Sequence, residues 1–94
     1  MKIKEAQDEI YEWVESVGWH NKEPLACIAL IHEEVVELGR TIREDADLPD
    51  KAEEVADIIL RTLDLAKILG VDAQAAICAK LLTNRMCGTK GRNL

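Results

Sequence analysis

The chain has 94 residues, 48% of them apolar, and carries 18 acids against 12 Lys and Arg for a net charge of −6. This length reads as one small domain, 1–94, able to bury about two-thirds of its unfolded surface, and the acidic balance excludes general nucleic-acid binding, which relies on a basic surface. No apolar run exceeds the seven residues from Leu25 to Ile31, against the ~20 needed to span a bilayer, and Met1 to Glu9 lack the apolar core of a signal peptide.

The first predicted helix runs from about Ile3 to Val17. Ile3, Ala6, Ile10, Trp13, Val14 and Val17 form its stripe at helical spacing, and Gly18 is placed to end it. Tyr11, Trp13 and Trp19 are the only aromatics. Clustered aromatics of this kind can stack on a nucleobase, although they more often anchor helix packing. His20 falls in the following loop, where no role is expected of it. Helix two is predicted from Pro24, whose fixed φ suits a first turn, to about Glu44. Leu25, Ile28, Ala29, Ile31, Val35, Leu38 and Ile42 make its apolar side, and Gly39 in mid-helix points to a close approach of another backbone or a ligand.

Asp45-Ala46-Asp47-Leu48-Pro49-Asp50 has turn chemistry. Helix three is predicted after Asp50, where Asp50-Lys51-Ala52-Glu53 has the spacing of a capping box. Ten of the fifteen residues from Val55 to Leu69 are Val, Ala, Ile or Leu, too many for one buried face. The helix is therefore expected to pack against its own chain and against another, in an oligomer. Gly70 and Asp72 supply a stop and a fresh N-cap. Helix four then covers about Ala73 to Met86, with Ala76, Ile77 and Leu81, helped by Ala73, on its core side. Residues 73–94 hold four bases and no acid, and Lys80, Asn84 and Arg85 make a donor-rich edge suited to phosphate oxygens. The plainer reading is a basic last turn that complements the helix dipole. The tail from Gly88 carries Lys90 and Arg92, which are placed to close over an anionic ligand. Cys27, Cys78 and Cys87 are odd in number and form no CxxC pair, so a reduced, cytoplasmic protein is the simplest reading.

Two acidic clusters dominate this plan: Glu33-Glu34-Val35-Val36-Glu37 on helix two and Glu53-Glu54-Val55-Ala56-Asp57 on helix three. Residues three apart share a helical face. In an antiparallel hairpin centred between Asp45 and Ala46, Glu34 faces Asp57 and Glu37 faces Glu54, so four carboxylates converge. Like charges so close raise one another's pKa unless they are protonated, paired with Lys or Arg, or bound to hard divalent cations such as Mg²⁺, Mn²⁺ or Ca²⁺. Two rival readings stand beside metal binding. One is a solvated acidic face. The other is an intrahelical Asp57–Arg61–Asp64 ladder.

Glu34-x-x-Glu37, sixteen further residues, then Glu54-x-x-Asp57 resembles the signature of the MazG-like, all-α nucleoside triphosphate pyrophosphohydrolases. The run Glu54 to Leu60, the break at Gly70 and Lys80-x-x-x-Asn84-Arg85 fall in the family's order, and the Trp13 and Gly18-Trp19 region is similar to its first helix. The resemblance implies an all-α fold of four helices per chain, assembled into four-helix-bundle dimers or tetramers. It also implies hydrolysis of nucleoside triphosphates, or their deoxy forms, to the monophosphate and pyrophosphate. By position, Glu34, Glu37, Glu54 and Asp57 would be the catalytic ligands of Mg²⁺ or Mn²⁺, while Lys80, Asn84 and Arg85 would contact phosphates. Trp13 would meet the base, and one Glu of the set, or Glu33, would orient the attacking water. A phosphoribosyl-ATP pyrophosphohydrolase ranks lower, because Ile58-Ile59-Leu60 stands where that branch has a Tyr-His pairing. A non-catalytic nucleotide- or protein-binding helical oligomer has no need of four carboxylates, and a calcium-binding protein leaves Lys80 and Asn84 unexplained.

Overall fold

The computed structural model describes residues 1–87, with side chains through Arg85. Lys90 and Arg92, expected to close over a ligand, lie outside the described residues. Four helices are present, α1 (Ile3–Ser16), α2 (Pro24–Arg43), α3 (Leu48–Ile68) and α4 (Ala73–Cys87), with no strand among the described residues. No helix among the described residues is long and apolar enough to cross a membrane.

The ends follow local chemistry. Gly18 (φ 73°) and Gly70 (φ 78°) take the left-handed conformation that turns the chain out of α1 and α3. Pro24 opens α2, and the Glu23 carboxylate accepts from the Ala26 N–H at 2.8 Å. Asp72 likewise accepts from the Ala75 N–H at 3.0 Å at the head of α4. The start of α3 differs from the expected capping box. Asp47, and not Asp50, is the N-cap, accepting from the Asp50 N–H at 3.2 Å. Pro49 is tolerated inside the first turn, where the missing N–H has no intrahelical role, so the helix begins before it and Glu53 is left exposed. Gly39 meets only the Arg43 side chain of its own helix, in place of the close backbone or ligand approach expected there.

The α2–α3 hairpin is the most extensive packing, and α1 lies along α3. α4 touches α1 and α3 but not α2. Its first turn is held by Gln7, which is only 2% exposed. The Gln7 amide nitrogen donates to the carbonyls of Leu63 (3.3 Å) and Val71 (2.9 Å), and its oxygen accepts from the Ala73 N–H at 3.2 Å. One side chain thereby satisfies backbone groups that the α3–α4 turn strands away from water.

The hydrophobic core is small: among the described residues Cys27, Leu63, Leu65 and Ala73 are its buried members. Much of the stripe assigned to α2 is uncovered, with Leu25 72% and Ile42 60% exposed, and Ile77 and Leu81 on α4 are exposed too. On α2, Cys27 is buried, and Leu30, Ile31, Glu34, Glu37, Leu38 and Thr41 are among the half-buried positions. Hydrophobic spacing marks an apolar face correctly but does not say whether its cover comes from the same chain.

Candidate active site

The hairpin brings Glu34 of α2 to Glu54 and Asp57 of α3, with one carboxylate oxygen from each lying within 4.8 Å of the others. The arrangement follows from the turn. Arg43 ends α2, Asp45 reverses the chain at φ 50°, and α3 returns antiparallel. Glu54 is the strained member. Its Oε2 atom is buried without a hydrogen-bond partner among the described residues. Burial, with Glu34, Asp57, Glu37 and Glu53 around it, pushes its pKa above the ordinary carboxylate value. An orphaned carboxylate oxygen beside two further carboxylates is the donor chemistry of a hard, oxygen-ligated divalent cation.

Glu37 stands outside this trio. It accepts from Arg40 Nη2 at 2.6 Å and lines a shallow hollow with His32, Glu33, Glu34 and Val36. Arg61 does not form the expected ladder with Asp57 and Asp64. Its Nε donates across the hairpin to Glu34 Oε1 at 3.2 Å, while Asp64 is taken by His20. Sequence spacing offers Arg61 a carboxylate at either side, but its partner comes from the facing helix.

Next to the trio lies a cleft of about 420 Å³, whose walls include Trp13, Trp19, Asn21, Leu30, Asp57 and Arg61. Asp57 belongs to both features. Trp13 and Trp19 meet edge to face at 5.2 Å between centroids and are 50% and 68% exposed, so they wall the cleft and do not anchor a core. Aromatic faces open to solvent beside a polar edge suit a planar ligand.

His20, assigned no role from the sequence, is a structural link. Its ring packs on Tyr11 with centroids 4.6 Å apart, and its nitrogens bond Glu15 on α1 at 2.5 Å and Asp64 on α3 at 2.8 Å. Burial disfavours its charge, but the Asp64 and Glu15 carboxylates outweigh it and the pKa rises above 6.5. The ionic bridge therefore stabilises the fold in full below about pH 6.5 and loses that contribution as pH climbs through the raised value. The thermal midpoint of His20→Asn should fall below wild type at pH 6, with the gap closing at alkaline pH. A gap independent of pH would count against the charged bridge.

Lys80, Asn84 and Arg85 are on α4, which has no contact with α2, and none of them lines the cleft or the hollow. Lys80 and Arg85 are exposed. The Asn84 amide is buried, with neither oxygen nor nitrogen hydrogen-bonded among the described residues. Gln7, His20 and the cross-hairpin role of Arg61 were missed from sequence. The usable signal was Gln7 itself, a polar residue set on the apolar stripe between Ile3 and Ile10.

An all-α chain that gathers carboxylates beside an aromatic-walled cleft has the groups of an enzyme handling a planar, anionic substrate. No family model matches the chain, and no solved structure matches it. It is 40% identical over 83 residues to the dATP/dGTP diphosphohydrolase of Cyanophage S-2L, a match that covers 88% of this chain and 73% of the phage enzyme. The chain belongs to that enzyme's family, the nucleoside triphosphate pyrophosphohydrolases, and is a hydrolase acting on phosphoric anhydrides.

Proposed function

We propose that the chain is a divalent-metal-dependent, MazG-like pyrophosphohydrolase of purine deoxynucleoside triphosphates. It adds water across the α–β anhydride and releases the monophosphate and pyrophosphate. The buried, unpaired Glu54 oxygen among Glu34 and Asp57 carries this reading, and the purine preference follows the substrates named for the phage relative. Glu34, Glu54 and Asp57 hold Mg²⁺ or Mn²⁺, with Glu37 completing the set once it leaves Arg40. When bound, the metal neutralises charge on the reacting phosphates and makes water a better nucleophile at neutral pH. Trp13 and Trp19 receive the base. Lys80 and Arg85 contact the phosphates from a second copy of the chain, whereas the Asn84 amide expected beside them is buried.

The exposed apolar side chains support that second copy, since Val35 of α2 and Ile59 of α3 are each about half uncovered and a stable monomer rarely leaves so many in one hairpin. Sedimentation at micromolar concentration should give a dimer or tetramer, and Ile59→Glu should drive it toward monomer. A monomeric wild type would refute the shared site. The reaction itself is tested by pyrophosphate release from a panel of ribo- and deoxynucleoside triphosphates and phosphoribosyl-ATP, with Mg²⁺, Mn²⁺ or chelator. The expected result is metal-dependent release, fastest from dATP or dGTP. Silence across the nucleoside triphosphates from a folded oligomer would overturn it.

A further inference from the structure

We infer that Arg61 is a partner-exchanging substrate residue: it holds Glu34 before ligands bind and transfers to the α-phosphate once metal and nucleotide are bound. This rests on the metal and nucleotide reading of the same site. Three observations carry it. Arg61 lines the aromatic cleft together with Asp57 and also reaches Glu34 of the carboxylate trio. A nucleotide with its base between the Trp walls and its phosphates at the trio has to pass this guanidinium. The existing pair is a single contact through Nε, with Arg61 43% and Glu34 18% exposed on their side chains. Its terminal nitrogens have no hydrogen-bond partner among the described residues, and these are the ends that grip phosphate in a fork.

Charge decides the direction of the exchange. Before ligands bind, Arg61 is paired with Glu34, one of three crowded carboxylates. Divalent cations there take over the neutralisation of Glu34 and repel the guanidinium, while a triphosphate brings anionic oxygens to its free face. A half-exposed, one-point ion pair is weak enough to give way. The exchange opposes metal binding in the absence of nucleotide and favours nucleotide once metal is present.

Arg61→Gln should therefore move two affinities in opposite directions. Calorimetry with Mn²⁺ on the nucleotide-free protein should show tighter binding, because the competitor for Glu34 is gone. The α,β-methylene analogues of dATP and dGTP, titrated at saturating Mg²⁺, should bind about tenfold more weakly, the worth of one charge-assisted hydrogen bond. Arg61→Lys, which keeps the charge without the fork, should leave Mn²⁺ affinity near wild type and still weaken the analogues. Tighter binding of both Mn²⁺ and analogue by Arg61→Gln would reduce Arg61 to an electrostatic brake and overturn the exchange. Unchanged or weaker Mn²⁺ binding would overturn it as well. A wild type that binds no Mn²⁺ would overturn the metal reading itself, which separates the two failures.

Discussion

Glu54→Gln should lower kcat by ~10³-fold or more, since removing a ligand forfeits several kcal/mol of charge stabilisation in the transition state, while the variant stays folded. Glu34→Gln should do the same. The stability side has an unusual sign. Glu54 has its pKa raised by burial and by its acidic neighbours, so its ionised form costs the metal-free fold stability above about pH 4.5, and the cost is relieved as pH falls through the raised value. Glu54→Gln should thus melt at or above the wild-type temperature at neutral pH without metal, the difference fading toward pH 4.5. Mg²⁺ should raise the midpoint of the wild type and leave that of the variant nearly unmoved. Pyrophosphate release and thermal melts on the same preparations check both halves, and full activity in both variants would remove these carboxylates from the chemistry.

Gln7→Leu should cost about 2–4 kcal/mol of folding stability, a large part of the 5–15 kcal/mol that holds a small domain together. Leucine fills the volume but leaves the Leu63 and Val71 carbonyls and the Ala73 N–H without the partners that Gln7 supplies. Those groups sit where α1, α3 and α4 meet, so the loss falls on the docking of α4. Denaturant titration should show an earlier midpoint, and Gln7→Glu should fare no better, because a carboxylate cannot donate to the two carbonyls. A wild-type midpoint for Gln7→Leu would mean that the turn satisfies its backbone by another route.

What could be read from the sequence depended on how local its cause was. Pro24, Gly18, Gly70 and Asp72 mark the helix ends because each acts on its own backbone. The approach of Glu34 to Asp57 was legible because a short hairpin fixes register by arithmetic, whereas Glu37, expected opposite Glu54, turns to Arg40 of its own helix. The start of α3 falls at Asp47 and not at the expected Asp50, since Pro49 blocks a helix interior but not a first turn. The partners of His20, Arg61 and Gln7 were opaque for one reason, although the place of Gln7 on an apolar stripe marked it as needing one. Those partners, Asp64, Glu34, Leu63 and Val71, are 27 to 64 positions distant in the chain, and side-chain reach across helices leaves no periodic mark. The apolar stripes were visible, but the chain that covers them is not written in them.

The separation of α4 from α2 has a kinetic meaning. If, as proposed, α4 lends its basic edge to the site of a second copy, since in its own chain it does not reach α2 and Glu34, the working site exists only while copies are associated. Specific activity then depends on mass action: in dilute solution the rate rises as the square of enzyme concentration and becomes linear once association saturates. Such an enzyme is nearly idle when scarce and switches on with its own abundance.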